Sequence, residues 1–385
     1  MAQIELCNLT KTYKKKTALK SIDLKVRDKE FIVLFGPAGA GKTTMLKMIA
    51  GLEFPDDGLI KINDEVVNVV PPANRNVSMV FENYALYPHL TVYDNIASPM
   101  RSKLYRESEE YIHDAILHIT KVMKIDQLLE RFPSQLSNGQ KQRVALGRCL
   151  VRKPNVFLMD EPLAHLDAKL RHFMRAELKE MQASFDTTTI YVTHDYMEAL
   201  SLGDRIAIIN HGEIIQIGSG NELFYTPCNE FVASLMGEPE INLVPATILR
   251  EGGSVKVRLL EQEKTFDLPG DVASFFKGNS IEDVKLGIRG NDFYYSTAKD
   301  DADFMKGSVY VLEPIGNRSI LTVVINGNKM RLIVPNNFSS EMDADIYIKI
   351  DYKDTMFFES STGGFLIRHN QEELIKEKKN ARADS

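Results

Sequence analysis

The stretch Phe31-Ile32-Val33-Leu34-Phe35-Gly36-Pro37-Ala38-Gly39-Ala40-Gly41-Lys42-Thr43-Thr44 decides the fold of this 385-residue chain. Five apolar residues read as a short buried strand and run directly into a glycine-rich turn. The pattern Met45-Leu46-Lys47-Met48-Ile49-Ala50 then reads as a helix closed by Gly51. Strand, G-x-x-x-x-G-K-[ST] turn and helix together make a phosphate-binding loop. Glycines let the backbone approach a phosphate without a Cβ in the way, and loop amides with a helix N-terminus offer positive partial charge. Gly36 to Thr44 is therefore a nucleotide phosphate site. Lys42 supplies a full charge for the β- and γ-phosphates, and the Thr43 hydroxyl suits Mg²⁺.

Working outward, residues 1–30 alternate apolar and polar, as in Ile22-Asp23-Leu24-Lys25-Val26, which predicts half-buried antiparallel strands. Gly58 to Asp64 and Val77 to Phe81 read as further strands. From about Tyr93 to Val151 the pattern is helical, its Lys and Arg taken as a solvated surface. Val156-Phe157-Leu158-Met159 and Thr189-Ile190-Tyr191-Val192-Thr193 are central strands. Asn210-His211-Gly212 signals a hairpin. Strands alternating with helices predict an α/β domain with a mainly parallel sheet over residues 1–237, with a helical subdomain at 90–151. Past 237 the chain turns strand-rich, with turns at Gly252-Gly253 and Asn326-Gly327. That predicts a separate all-β, OB-like domain over 238–370, and 371–385 reads as a charged tail.

Composition bounds the function. A net charge of −6 argues against general nucleic-acid binding. Three scattered cysteines, Cys7, Cys149 and Cys228, predict free thiols in a reducing compartment. No stretch approaches the roughly 20 apolar residues that span a bilayer, and the start resembles no secretory leader. The expectation is a cytoplasmic chain.

Asp160-Glu161 directly follows an apolar strand, at the sheet edge where open α/β folds bind ligands. Asp160 suits Mg²⁺ held through water, and Glu161 suits deprotonation of the water that attacks a γ-phosphate. The bland alternative is an acidic pair opening a helix. His194 follows the next strand in the same way; it either donates to the γ-phosphate or is structural.

Leu136-Ser137-Asn138-Gly139-Gln140-Lys141-Gln142-Arg143 resembles the L-S-G-G-Q signature of ABC-transporter ATPases. Tyr13, the phosphate loop, Glu82, the signature, Asp160-Glu161, Leu166-Asp167 and His194 follow that family's order. Phe81 to Val92 and Leu163 to Arg171 are similar to the maltose-type carbohydrate importers, which also carry a C-terminal β domain (the TOBE type). The resemblance implies that Tyr13 stacks on adenine. It implies that Ser137, Asn138, Gly139 and Gln140 reach the nucleotide held by a second subunit, and that Asp167 lies at the seam. Glu82 would join Thr43 and Asp160 around Mg²⁺. The implied protein hydrolyses ATP in a homodimer or heterodimer on the cytoplasmic face of the membrane. It would energise uptake of a carbohydrate or polyol through two integral-membrane permease subunits, fed by an extracytoplasmic solute-binding protein.

Two positions depart from the pattern. Glu82 replaces the usual glutamine; near phosphate its charge costs roughly 3 kcal/mol at about 5 Å and an effective dielectric of about 20, partly offset by Mg²⁺. Asn138 replaces the first signature glycine, a substitution of low cost if the position needs positive φ. Either departure is also what one half of an unequal pair would show. The competing functions are a non-transport ABC ATPase and a nucleotide-binding partner that does not hydrolyse. The β domain reads as a dimer-stabilising module or a regulator site.

Overall fold

The structure is a computed structural model. It describes residues 2–369 except 82, 153, 165, 186, 261–264 and 299–302. The chain divides into two compact units, one ending at Gly220 and the other beginning at Asn221.

The first unit carries ten strands among its described residues. They are β1 (Ile4–Tyr13), β2 (Lys16–Val26), β3 (Phe31–Phe35), β4 (Asp57–Ile62), β5 (Glu65–Val66), β6 (Val77–Val80), β7 (Val156–Asp160), β8 (Thr188–Thr193), β9 (Arg205–Asn210) and β10 (Glu213–Gly218). One six-stranded sheet runs β10-β9-β3-β8-β7-β6. Its strands are parallel except β10, which returns antiparallel through the hairpin at 210–212. Every residue of β3, β7 and β8 is buried, as expected of parallel strands covered on both faces. A second, antiparallel sheet runs β2-β1-β4-β5, and its first two strands alternate buried and exposed positions along most of their length.

The helix α1 (Lys42–Ala50) lies in the core shared by these sheets, its Met45, Leu46 and Ile49 belonging to one buried cluster with Leu6 and Leu24 of the antiparallel sheet and Leu34, Leu158 and Val192 of the parallel one. Its C-terminus is held by Arg75, whose guanidinium donates to Met48 O at 2.7 Å and Ile49 O at 2.9 Å. Gly51 closes the helix with φ +80°, and a Cβ there would come 2.7 Å from Arg75 Nε. The helical subdomain is α2 (Val92–Ala97), α3 (Glu109–Val122) and α4 (Asn138–Leu150). These helices are N-capped by Thr91, Ser108 and Ser137. Two of its half-exposed basic residues also reach loop carbonyls, Arg143 donating to Met123 O and Arg148 to Ala85 O, contacts that composition does not show. The helices α5 (Ala168–Phe185) and α6 (Tyr196–Leu202) follow β7 and β8.

The second unit is dominated by two antiparallel sheets. One comprises β11 (Asn242–Glu251), β12 (Ser254–Leu259), β13 (Thr265–Asp267), β14 (Asp283–Ile288), β20 (Met356–Glu359) and β21 (Phe365–Arg368). The other comprises β15 (Phe293–Ser296), β16 (Met305–Pro314), β17 (Arg318–Ile325), β18 (Asn328–Pro335) and β19 (Asp345–Ile350). Val257, Leu286 and Phe357 of the first sheet share one core with Val323, Leu332 and Ile348 of the second. The result is an all-β domain of the OB-like, TOBE type. Packing divides the chain earlier than the change of composition at 237, because residues 221–237 are tied to these strands. Arg289 donates to the carbonyls of Phe224, Ala233 and Met236, and Lys285 Nζ lies 2.8 Å from Glu230 Oε2. The charged tail from 370 lies outside the described residues.

Candidate active site

The phosphate loop begins where β3 ends. Lys42 folds back over the loop, Nζ donating to Gly36 O at 2.7 Å and Pro37 O at 2.9 Å. It is only 5% exposed. Burial lowers its pKa, while Glu161 and Asp160 pull it back up. Gly41 has φ +110°, and a Cβ there would lie 2.5 Å from Ala18 O. The loop is braced by Gly212 N, which donates to Ala40 O at 3.0 Å from the hairpin turn. A cavity of about 310 Å³ is lined by Tyr13, Lys16, Ala18, Ala38, Gly39, Gly41, Lys42, Thr43, Thr44 and Glu161. Tyr13, from the end of β1, is 41% exposed. The structure thus brings the aromatic residue and the phosphate loop to one cavity.

Both carboxylates stand at the end of β7 and His194 follows the adjacent parallel strand β8, Asp160 standing opposite Val192. Thr43 Oγ1 donates to Asp160 Oδ1 at 3.0 Å. His194 Nδ1 lies 2.9 Å from Glu161 Oε2. Glu161 has φ +45°, a conformation costly for a residue with a Cβ, and its amide is held by Val192 O at 3.1 Å. The pairing Thr43–Asp160 joins residues 117 positions apart; Glu161–His194 joins two strand ends.

Behind His194 lies a polar cluster that sequence reading missed. Asp195 caps α6, accepting from Met197 N and Glu198 N, and its own amide donates to Thr193 Oγ1 at 3.0 Å. Buried Glu198 accepts from Tyr191 Oη at 2.9 Å and Thr193 Oγ1 at 2.7 Å. Burial raises its pKa, the two hydroxyls opposing that rise. Arg171 stands 3.4 Å from Asp195 Oδ2 and 3.9 Å from Glu198 Oε1, and donates to Leu166 O at 3.3 Å. The strand-end His194-Asp195 with Glu198 three residues later carried a readable helix-start signal; Arg171 carried none.

Ser137 caps α4, Gln140 N donating to its Oγ at 3.3 Å while Gln140 Oε1 accepts from Ser137 N at 3.0 Å. Asn138 is the first residue of that helix and is not among the residues with positive φ. Position 138 thus takes ordinary helical backbone behind the capping serine, and the condition of a positive φ does not arise. Gly139 is buried in the same first turn. Asp167 is exposed just before α5, its carbonyl accepting from Arg171 N at 2.8 Å. Glu82 lies outside the described residues.

Hard oxygen donors beside a lysine-bearing phosphate loop define a nucleotide-hydrolysing cassette. The sequence profile described as ABC transporter matches residues 19–164. The chain is 40% identical over 381 residues to the trehalose/maltose import ATP-binding protein MalK of Thermococcus litoralis, covering 94% of this chain and 99% of that protein. It is 49% identical over 332 residues to the sn-glycerol-3-phosphate import ATP-binding protein UgpC of Brucella abortus biovar 1, covering 86% and 89%. The sulfoquinovosyl glycerol transport ATP-binding protein SmoE of Agrobacterium fabrum is 37% identical, covering 94% and 99%. Among solved structures, a dimeric ATP-binding cassette in a post-hydrolysis state bound to ADP and Pi matches with a TM-score of 0.52 at 32% identity, covering 56% of this chain and 98% of that one. The chain belongs to the ABC-transporter family, as an ATP-binding ATPase subunit of the import type. Among the described residues no helix is long and apolar enough to cross a membrane.

Proposed function

We propose that two copies of this chain, or this chain and a related ATPase, sandwich ATP and use its hydrolysis to drive uptake of a carbohydrate or related polyol. The observation that carries the reading is the meeting of Lys42, Thr43–Asp160 and Glu161–His194 at adjacent strand ends. The names of the relatives support the solute class. Permease subunits in the membrane would receive the stroke, with a solute-binding protein delivering the solute outside. The chain would sit as a peripheral subunit on the cytoplasmic face.

Each residue has a role that its chemistry allows. Lys42 leaves the carbonyls of Gly36 and Pro37 and pairs with the β- and γ-phosphates. Tyr13 presents a ring face to adenine. Glu161 accepts a proton from the attacking water, whose oxygen bonds to the γ-phosphorus as the bond to the β-bridging oxygen breaks, giving ADP and phosphate. An ionised carboxylate only accepts, so His194 Nδ1 carries the proton toward Glu161 and orients it. The Thr43 hydroxyl and Asp160 carboxylate, 3.0 Å apart, suit Mg²⁺, which takes few protein oxygens beside phosphates; Glu82 would be a third. When bound, that ion neutralises phosphate charge. Ser137 and Gly139 at the α4 N-terminus face the partner's nucleotide, and Asp167 lies at the seam.

The test is ATP-driven dimerisation measured by light scattering. The wild-type chain with ATP and Mg²⁺ is expected to pair, and Lys42→Ala to stay monomeric. A Lys42→Ala chain that closes around ATP as readily as wild type overturns the reading. A wild-type chain that pairs only with a co-purified second ATPase identifies the heterodimer.

A further inference from the structure

Two neighbouring residues in the loop leaving β6 hold a backbone conformation that residues with side chains avoid. Tyr84 has φ +62° and Ala85 φ +44°, and a Cβ in that region crowds its own carbonyl. Such backbone persists where its surroundings over-determine it, and here they do. Tyr84 N donates to Phe81 O at 2.9 Å and Ala85 N to Asn83 O at 2.8 Å. Buried Asn95 of α2 secures the far end, Oδ1 accepting from Tyr87 N at 2.9 Å and Nδ2 donating to Tyr87 O at 3.1 Å. The carbonyls of both left-handed residues go to one side chain. Arg148 Nη1 donates to Ala85 O at 2.8 Å and Nη2 to Tyr84 O at 3.0 Å, with the guanidinium 5.3 Å from the centroid of Tyr87.

Arg148 stands in the last turn of α4, the helix that Ser137 caps at its other end. At about 1.5 Å per residue, this helix spans roughly 20 Å. We propose that Arg148 is a positioning residue whose fork fixes the left-handed turn at 84–85 to α4, so that this loop and the signature serine move as one body. The loop leaves β6, which pairs with β7 and so borders the chain's own carboxylates. Ser137, on the dimer reading above, serves the partner's nucleotide. The Arg148 clamp is thus a physical link between the two sites of the dimer. The planar fork reaches two carbonyls at once, which a lysine ammonium does not reproduce.

The experiment compares wild type, Arg148→Lys, Ala85→Gly and the double variant as whole chains. It reads hydrogen exchange at residues 84–87, melting temperature, and kcat and KM for ATP. Arg148→Lys is expected to speed exchange at 84–87 about tenfold, the worth of one charge-assisted hydrogen bond. It should lower kcat by a similar factor with KM within about twofold. Glycine takes the left-handed conformation freely, so the double variant should regain protection and part of kcat. Unchanged exchange at 84–87 in Arg148→Lys, or a double variant no better than Arg148→Lys, overturns the clamp. A wild-type chain without ATPase activity defeats the hydrolytic reading alone, since the exchange measurements still decide the clamp.

Discussion

In the first unit a lysine, a hydroxyl, two carboxylates and an imidazole converge on one edge of a sheet, the hydroxyl meeting one carboxylate, the imidazole the other and the lysine the loop carbonyls. In the second, two buried guanidiniums are occupied by structure. Arg289 serves three backbone carbonyls and stacks 3.9 Å over Phe224, and Arg368 pairs with Asp354 beside Tyr225. Strand direction explains the contrast. Parallel strands all end at one edge, so the residues following β3, β7 and β8 meet there. Antiparallel strands end alternately at both edges, which disperses polar residues and leaves the buried ones to satisfy backbone.

The comparison can be broken most directly at Glu161. Glu161→Gln is expected to lower the single-turnover ATPase rate by about 10³-fold, within the range for loss of a general base, with nucleotide affinity changed little. An undiminished rate removes the catalytic meaning of the strand-end cluster. Arg289→Met should show the opposite character, destabilising the second unit by about 2–4 kcal/mol because carbonyls lose a buried donor. Calorimetry should register that loss while KM for ATP stays put.

A smaller effect belongs to Asp292. Its carboxyl is pushed up from 3.8 to about 6, first by burial and next by Asp354, with Asp351 adding and Arg289 opposing. Between those values the folded chain keeps a proton that the unfolded chain has released. Stability from this group therefore falls as pH rises through that window, and the penalty is complete above it. Asp292→Asn should stabilise the protein by about 1–2 kcal/mol at pH 7.5, after allowance for partial solvent screening, and flatten the slope between pH 4 and 6. Denaturant midpoints across that range measure it. The smallest contrast is in thiol labelling. Cys149 on α4 is buried, its thiol pushed up to about 11 chiefly by burial, whereas Cys228 is exposed. A maleimide should label Cys228 first and reach Cys149 only on unfolding.

What could be read from residues was set by local rules. The strand readings at 31–35, 156–159 and 189–193 hold, as buried strands of a parallel sheet covered on both faces, and the glycine and lysine spacing of the loop requires a turn and a helix start. The hairpin at 210–212 followed from Asn210 and Gly212 in the same local way. The second unit was legible as β-rich, but neither the sharing of one core by its two sheets nor the attachment of residues 221–237 to it was. Long-range pairing decides both.

Charged residues mark the line between the two kinds of knowledge. Sequence alone determined that Lys42 opens the helix after the phosphate loop and that Asp160, Glu161 and His194 stand at strand ends, because both features are local. Only the tertiary structure decided that Thr43 meets Asp160, that Glu161 meets His194, and that Arg75, Arg148, Arg171 and Arg289 turn inward onto carbonyls or carboxylates. A guanidinium in sequence is solvated by default. Its burial depends on which backbone acceptors a distant segment leaves within reach, and that is fixed only when the whole chain has folded.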